Sequence, residues 1–142
     1  MFPKGAITLV VLTYAICVAY IYHIETRVNP MGVTKEIIKE GNGPTPTKGA
    51  TVTVHCTGYG KDRDLSKKFW STKDPGQQPF QFQVGLGSVI RGWDEGVMNM
   101  ALGEVARLTC SPDYAYGSRG FAAWGIQPDS VLVFEIEVLQ IQ

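Results

Sequence analysis

Few residues in this chain could do chemistry, and most of those are poorly placed for it. His55 lies beside Cys56 in "TVTVHCTG", and a histidine next to a thiol is half of a nucleophilic pair. Alternation separates the two. Val52, Val54 and Cys56 fall on one face of a strand, and Thr53, His55 and Thr57 on the other. No other histidine follows residue 30, so a Ser–His–Asp arrangement has no base to use. His55 therefore reads as a surface or structural residue. "GLGSVIRG" follows a strand-like run and opens a helix-like one, as a dinucleotide-binding loop does. Ile90 stands where the third glycine is needed, and no βαβ unit follows. There is no Walker loop. Cys17, Cys56 and Cys110 show neither a C-x-x-C pair nor a metal-ligand spacing. No metal and no cofactor is expected, and an enzyme built on this chain works without an obvious nucleophile.

Aromatic rings are the feature that recurs. Phe69, Trp70, Phe80, Phe82, Trp93, Tyr114, Tyr116, Phe121, Trp124 and Phe134 stand at strand ends and in loops. Rings ordinarily build a core, and Phe82 reads that way. So many of them beside loops in a small domain also suit an apolar cleft with a few polar groups, the usual form of a ligand site.

The elements that must position these rings are mostly strands. "TVTVHCTG", "PFQFQVG", "EVARLTC" and "VLVFEIEVLQIQ" alternate apolar and polar residues, which predicts antiparallel strands with one wet face. "VTKEIIKEG" predicts a shorter strand. One stretch breaks the period. In "VIRGWDEGVMNM", Trp93 and Val97 are four apart, which predicts a helix of about two turns with one apolar stripe. Gly92 and Gly96 weaken that helix, so packing must hold it. The expected fold class is α+β: a curved antiparallel half-barrel sheet wrapping one short helix, with an apolar N-terminal leader segment. Gly- and Pro-rich joints lie at "GNGPTPTKG", "KDPGQQP" and "YGSRGFAAWGIQPD", the last long enough to be a functional loop.

Composition closes off other classes. The 142-residue chain suits one domain. Beyond residue 30 it carries 11 Lys and Arg against 12 Asp and Glu, so nothing points to nucleic acid. Lys61, Arg63, Lys67 and Lys68 are interleaved with Asp62 and Asp64 and read as a solvated loop. Few cysteines and no Asn-x-Ser/Thr sequon suggest an intracellular domain. No repeat or second domain is visible, and a monomer is expected.

"FQVGLGSVIRGWDEGV", "SPDYAYG" and "LVFEIEVL", with "HCTG" and "KKFWST" upstream, together resemble the FKBP-type peptidyl-prolyl cis-trans isomerases. The details look most like the small single-domain plant members. The resemblance covers Gly32 to the C-terminus, and the family fold agrees with the one read above. It implies an enzyme that speeds rotation about X-Pro bonds and assists protein folding. Proline-containing peptides and proteins would be its substrates. The competing class is a binding module that holds a partner without turnover.

Matched position by position, the resemblance places Trp93 under the proline ring as a floor and Phe69, Phe80, Val89, Ile90 and Phe134 around it. Tyr116 would donate its hydroxyl to a substrate carbonyl, the Ile90 N–H would serve a second, and Ile126 would cap one side. Core packing is the alternative for each, most strongly for Phe134. Cys56, Trp70 and Phe121 follow as further substrate-facing residues. The chain departs from the family pattern in three places. Cys56 replaces a usual pocket tyrosine, Trp70 replaces a usual aspartate, and "RGFAAWGIQP" lacks the usual adjacent prolines. Two polar anchors are lost while the apolar wall remains. Catalysis should persist, and binding of macrolide ligands should weaken. One charge-assisted hydrogen bond is worth roughly 1.5–3 kcal/mol, tenfold or more in affinity. The resemblance also makes the strands of Cys56 and Cys110 antiparallel neighbours with both thiols on the core side, within the roughly 4.4–6.8 Å that a disulfide needs. The expectation is two reduced, buried cysteines that bond on oxidation.

Residues 1–30 read as an apolar leader and residues 31–142 as the isomerase domain. Ala6–Ile24 has no charged side chain. As a helix it would measure about 28 Å against a hydrocarbon core of about 30 Å. A membrane anchor, a cleaved signal and a working chain that starts at Met31 all fit this. A cytoplasmic domain is expected, with single-pass anchoring if residues 6–24 are retained.

Overall fold

The computed structural model describes residues 31–142. The apolar leader, and with it the choice between anchor, signal and later start, lies outside the described residues. Among those described, no helix is long and apolar enough to cross a membrane.

Six strands form one antiparallel sheet with one α-helix packed on it. They are β1 (Val33–Lys39), β2 (Thr51–Tyr59), β3 (Lys68–Ser71), β4 (Phe80–Gln83), β5 (Val105–Cys110) and β6 (Leu132–Ile141). The helix, α1, spans Arg91–Met98 between β4 and β5. The order across the sheet is β1-β5-β6-β2-β3, and β4 pairs separately with β2. This is the α+β class expected from the alternation. On β2, β5 and β6 the apolar positions are buried in strict alternation, from Val52, Val54 and Cys56 to Ala106, Leu108, Phe134 and Ile136. Register lines these residues up in rows across the inner face. Ala106, Ile136 and Cys56 make one row, and Leu108, Phe134 and Gly58 the next.

Two elements differ from the periodicity. β1 is a strand, but its apolar residues do not alternate inward: Ile37 and Ile38 are both exposed. It lies at the sheet edge, paired only with β5. It is held there by the Lys35 ammonium, 2.7 Å from the buried Glu104 carboxylate and 2.7 Å from the Asn99 carbonyl. β3 was invisible to alternation because it is four residues long and its pairing with β2 is bulged at Gly58/Tyr59.

The expected adjacency of the cysteine strands is corrected. β6 runs between β2 and β5, and the residue across β6 from Cys56 is Ala106. Two strand spacings amount to about 9.5 Å, already beyond the Cα separation of a disulfide. Cys56 and Cys110 are both free and buried.

The helical glycines have a structural reason. A Cβ on Gly92 would collide with the Cys110 sulfur and lie 3.0 Å from the Tyr114 carbonyl oxygen. A Cβ on Gly96 would fall 2.6 Å from Leu108 Cδ1. Bare backbone lets α1 lie directly on β5, with Trp93 and Val97 turned into the core. Gly92→Ala should therefore destabilise the fold, although alanine is the better helix former by about 1 kcal/mol. Overpacking against a rigid neighbour costs roughly 1–3 kcal/mol. Urea unfolding checks this: the midpoint should fall, and a raised midpoint would show that α1 has room to spare.

Candidate active site

Six rings from five parts of the chain close on themselves. Trp93 on α1 meets Phe134 on β6 edge-on at 5.5 Å, and Phe134 meets Phe69 on β3 at 5.9 Å. Phe69 stacks on Trp124 at 5.7 Å, and Trp124 stacks on Trp70 at 5.9 Å with planes 6° apart. Trp70 then meets Phe80 on β4 at 6.2 Å, and Phe80 meets Trp93 at 5.8 Å. Such edge-on and offset pairs are the favoured arrangements of aromatic quadrupoles. The collar borders a cleft of about 320 Å³ lined by Trp70, Phe80, Ser88, Val89, Ile90, Trp93, Tyr116, Trp124 and Phe134.

Backbone detail sets each ring. Gly58 faces inward beside Phe134, and a Cβ there would overlap the Phe69 ring. The missing side chain is the space that Phe69 fills. Trp93 is held by the first turn of α1, where its N–H and that of Asp94 donate to the Ile90 carbonyl at 3.0 and 3.2 Å. The Asp94 carboxylate accepts the Gly85 and Gly87 N–H groups at 2.9 and 2.7 Å. This ties the loop before the helix, and so Ser88, Val89 and Ile90, to the helix that carries the floor. Trp124 arrives on a one-turn 3-10 helix, Ala122–Trp124, pinned by the Phe121–Ile126 bridge.

The cleft is mainly apolar, with Ser88 and Tyr116 its only polar side chains apart from the indole N–H groups. The Ile90 N–H is taken by no backbone carbonyl of the described residues, and the Tyr116 hydroxyl makes no hydrogen bond among them. Burial, with the nearby Cys56 thiol, pushes the Tyr116 phenol above its ordinary pKa, so it stays a neutral donor. The Trp93 indole N–H is buried without an acceptor, alone in this respect among the described side chains. Leaving such a donor unpaired costs about 1–3 kcal/mol. His55 stands apart, its Nδ1 2.9 Å from the Thr72 hydroxyl. No group of metal-ligating side chains occurs among the described residues.

Of the residues expected here, Phe80, Val89, Ile90, Trp93, Tyr116, Phe134 and Trp70 line the cleft together. Phe134 is wall and core at once, 3 % exposed. Phe69 stands behind the lining, against Trp124 and Phe134. Ile126 is buried in the core and is not among the residues that line the cleft. Phe121 is exposed at the rim, 5.3 Å from the Tyr116 ring and 4.9 Å from Trp124. Cys56 does not reach the cleft surface and is buried behind Tyr116. Sequence reasoning gave no role to Trp124 or Ser88. The signal for Trp124 was available: a tryptophan in a loop that has lost its adjacent prolines needs a partner, and Trp70 replaces an aspartate nearby.

A profile of the FKBP-type peptidyl-prolyl cis-trans isomerases matches residues 43–139. The chain belongs to this family. The "Peptidyl-prolyl cis-trans isomerase FKBP12" of Vicia faba is 73 % identical over 112 residues, 79 % of this chain and 100 % of that protein. Its namesake from Arabidopsis thaliana is 71 % identical over the same length and coverage. The "FK506-binding protein 1A" of Aspergillus fumigatus is 53 % identical over 112 residues, 78 % of this chain and 96 % of that protein. As an FKBP-type isomerase, the enzyme rotates X-Pro peptide bonds, a reaction that forms and breaks no covalent bond. That fits a site whose only titratable lining residue is a tyrosine.

The FKBP core also shields its thiols. Burial pushes Cys110 up to about 12. Burial first, then Cys110 and Glu135, raises Cys56 well above the ordinary thiol value. Since the thiolate is the reactive form, both should be unreactive near neutral pH. In the full chain carrying Cys17→Ser, an aromatic disulfide reagent at pH 8 should label neither cysteine until denaturant is added, and then both. Rapid labelling of the native protein would overturn this.

Proposed function

We propose that the aromatic cleft is the catalytic site, and that it lowers the barrier to X-Pro rotation by favouring the twisted amide over the planar one. The barrier is amide resonance, roughly 18–20 kcal/mol, and a twisted amide has lost that charge separation. A dry wall of rings therefore accepts it better than the planar ground state, which is differential binding of the transition state. The observation that carries this is the closed six-ring collar around a cleft with one titratable lining group.

Within this proposal Trp93 is the floor for the proline ring. Phe80, Val89, Ile90 and Phe134 wall it, and Phe69 backs the wall. The Tyr116 hydroxyl and the Ile90 N–H each donate to a substrate carbonyl. Exposed X-Pro segments of peptides and folding proteins are the substrates, and turnover without cofactor or metal is the mode. Macrolides of the kind named in the fungal relative bind weakly. Trp70 offers no carboxylate, and the buried Cys56 offers no phenol. The catalytic unit is residues 31–142, acting as a cytoplasmic monomer that needs no nucleic acid, with residues 1–30 as a leader. Cys56 and Cys110 are carried as reduced thiols.

Phe80 is 37 % exposed, so Phe80→Ala should leave the fold intact while opening the wall. Its kcat/KM on a proline peptide should drop more than that of Tyr116→Phe. The latter loses one hydrogen bond of about 0.5–1.5 kcal/mol, or roughly two- to tenfold. The rate should be flat with pH from about 5 to 9, because the one titrating lining group has its pKa raised from 10. Full activity in both folded variants would place catalysis elsewhere.

A further inference from the structure

We propose that the stacked pair Trp70–Trp124 is the specificity-determining element of this isomerase, selecting X-Pro bonds in which X is aromatic over those in which X is a branched aliphatic residue. The proposal rests on the cleft being the catalytic site.

Four observations carry it. First, the two indoles are the most nearly parallel ring pair of the collar, 6° apart at 5.9 Å, so they form one stacked unit that offers an incoming ring its edges and the uncovered part of its faces. Second, both are half-buried and both line the cleft, so part of each is open to an incoming side chain. Third, the pair lies across the collar from the floor. Phe80 separates Trp70 from Trp93 on one side, and Phe134 and Phe69 separate Trp124 from it on the other. A proline ring seated on Trp93 does not cover the pair, but the side chain of the residue before the proline can extend to it. Fourth, no lining residue bears a formal charge near neutral pH, and the only polar side chains are those of Ser88 and Tyr116. The Ser88 hydroxyl already donates to the Gln83 carbonyl at 3.0 Å. A carboxylate at X would be desolvated against indole without a partner.

The chemistry then distinguishes aromatic from aliphatic. A leucine gains burial against the indoles. A phenylalanine or tyrosine gains burial and an offset-stacked or edge-to-face contact as well, which only an aromatic ring can make. Phe69, Phe121 and Tyr116 pack against Trp124 at 5.7, 4.9 and 6.5 Å, so the platform is held in place before substrate arrives.

The full chain should be assayed on a peptide series Ala-Xaa-Pro-Phe with Xaa Phe, Leu, Ala or Glu. Wild type should rank Phe above Leu, then Ala, with Glu last. Trp70→Leu and Trp124→Leu should each reduce the Phe-to-Leu ratio of kcat/KM by about two- to tenfold, the worth of an aromatic pair beyond its area. Trp124→Phe should restore most of the ratio. A wild type that prefers Leu to Phe overturns the proposal whether or not the variants fold. A fall of the same factor for every peptide also overturns it and leaves the pair as wall. In a second series that varies the residue after the proline, Ala-Leu-Pro-Xaa, an effect of the tryptophan variants seen only there overturns the assignment to X. A wild type inactive on all four peptides would instead defeat the catalytic site itself.

Discussion

Phe134 sits on β6 opposite Gly58 of β2, and the volume a Cβ would take there is occupied by the Phe69 ring. The cleft depends on this substitution of a neighbour's ring for a side chain. Along the inner face every other position of β2 carries an apolar group that fills its own row. At Gly58 the row is left open, and β3 delivers Phe69 into it. With Phe69 lodged against Phe134, its other contact is with Trp124, so the long loop is drawn onto the sheet. Trp70, next along β3, stacks on the same indole. A short bulged strand thus supplies two consecutive collar members, which regular pleating would have sent to opposite faces.

The helix obeys a similar constraint. Its two glycines have poor intrinsic propensity, offset by the close approach to β5 that puts Trp93 at the base of the cleft. The result is a floor whose N–H is buried without an acceptor, in a protein that otherwise pairs its described buried side-chain polar atoms. A fold under selection for stability alone has little reason to keep such a group. It coincides with the apolar cleft proposed as the catalytic site.

Much of this was legible in the sequence, for identifiable reasons. Strict alternation on β2, β5 and β6 reveals the sheet because each strand has one buried face and neighbours on both sides. Trp93, Tyr116 and Phe134 sit in motifs specific enough to place them. What was hidden depended on three dimensions. β3 is too short to show a period, and β1 at the edge does not need one. Cys56 and Cys110 share the inward face, as alternation said, but alternation carries no information on strand order, and β6 separates them. Ile126 and Cys56 have the residue types of a lining, yet they are one layer too deep. Trp124 joins the collar through Phe69 and Trp70, which come from a strand more than 50 residues earlier.

The chain contains three tryptophans, and Trp70, Trp93 and Trp124 all border the same cleft. No indole lies elsewhere, so the tryptophan fluorescence of this protein, excited beyond the tyrosine absorption band, is a signal from its cleft alone. Two of the fluorophores lie in parallel contact, and the third is buried across the collar from them. Their spectra differ in solvent exposure, and short separations allow excitation to pass between them. A molecule entering the cleft alters all three at once. The fold thus carries its own unlabelled optical reporter of occupancy.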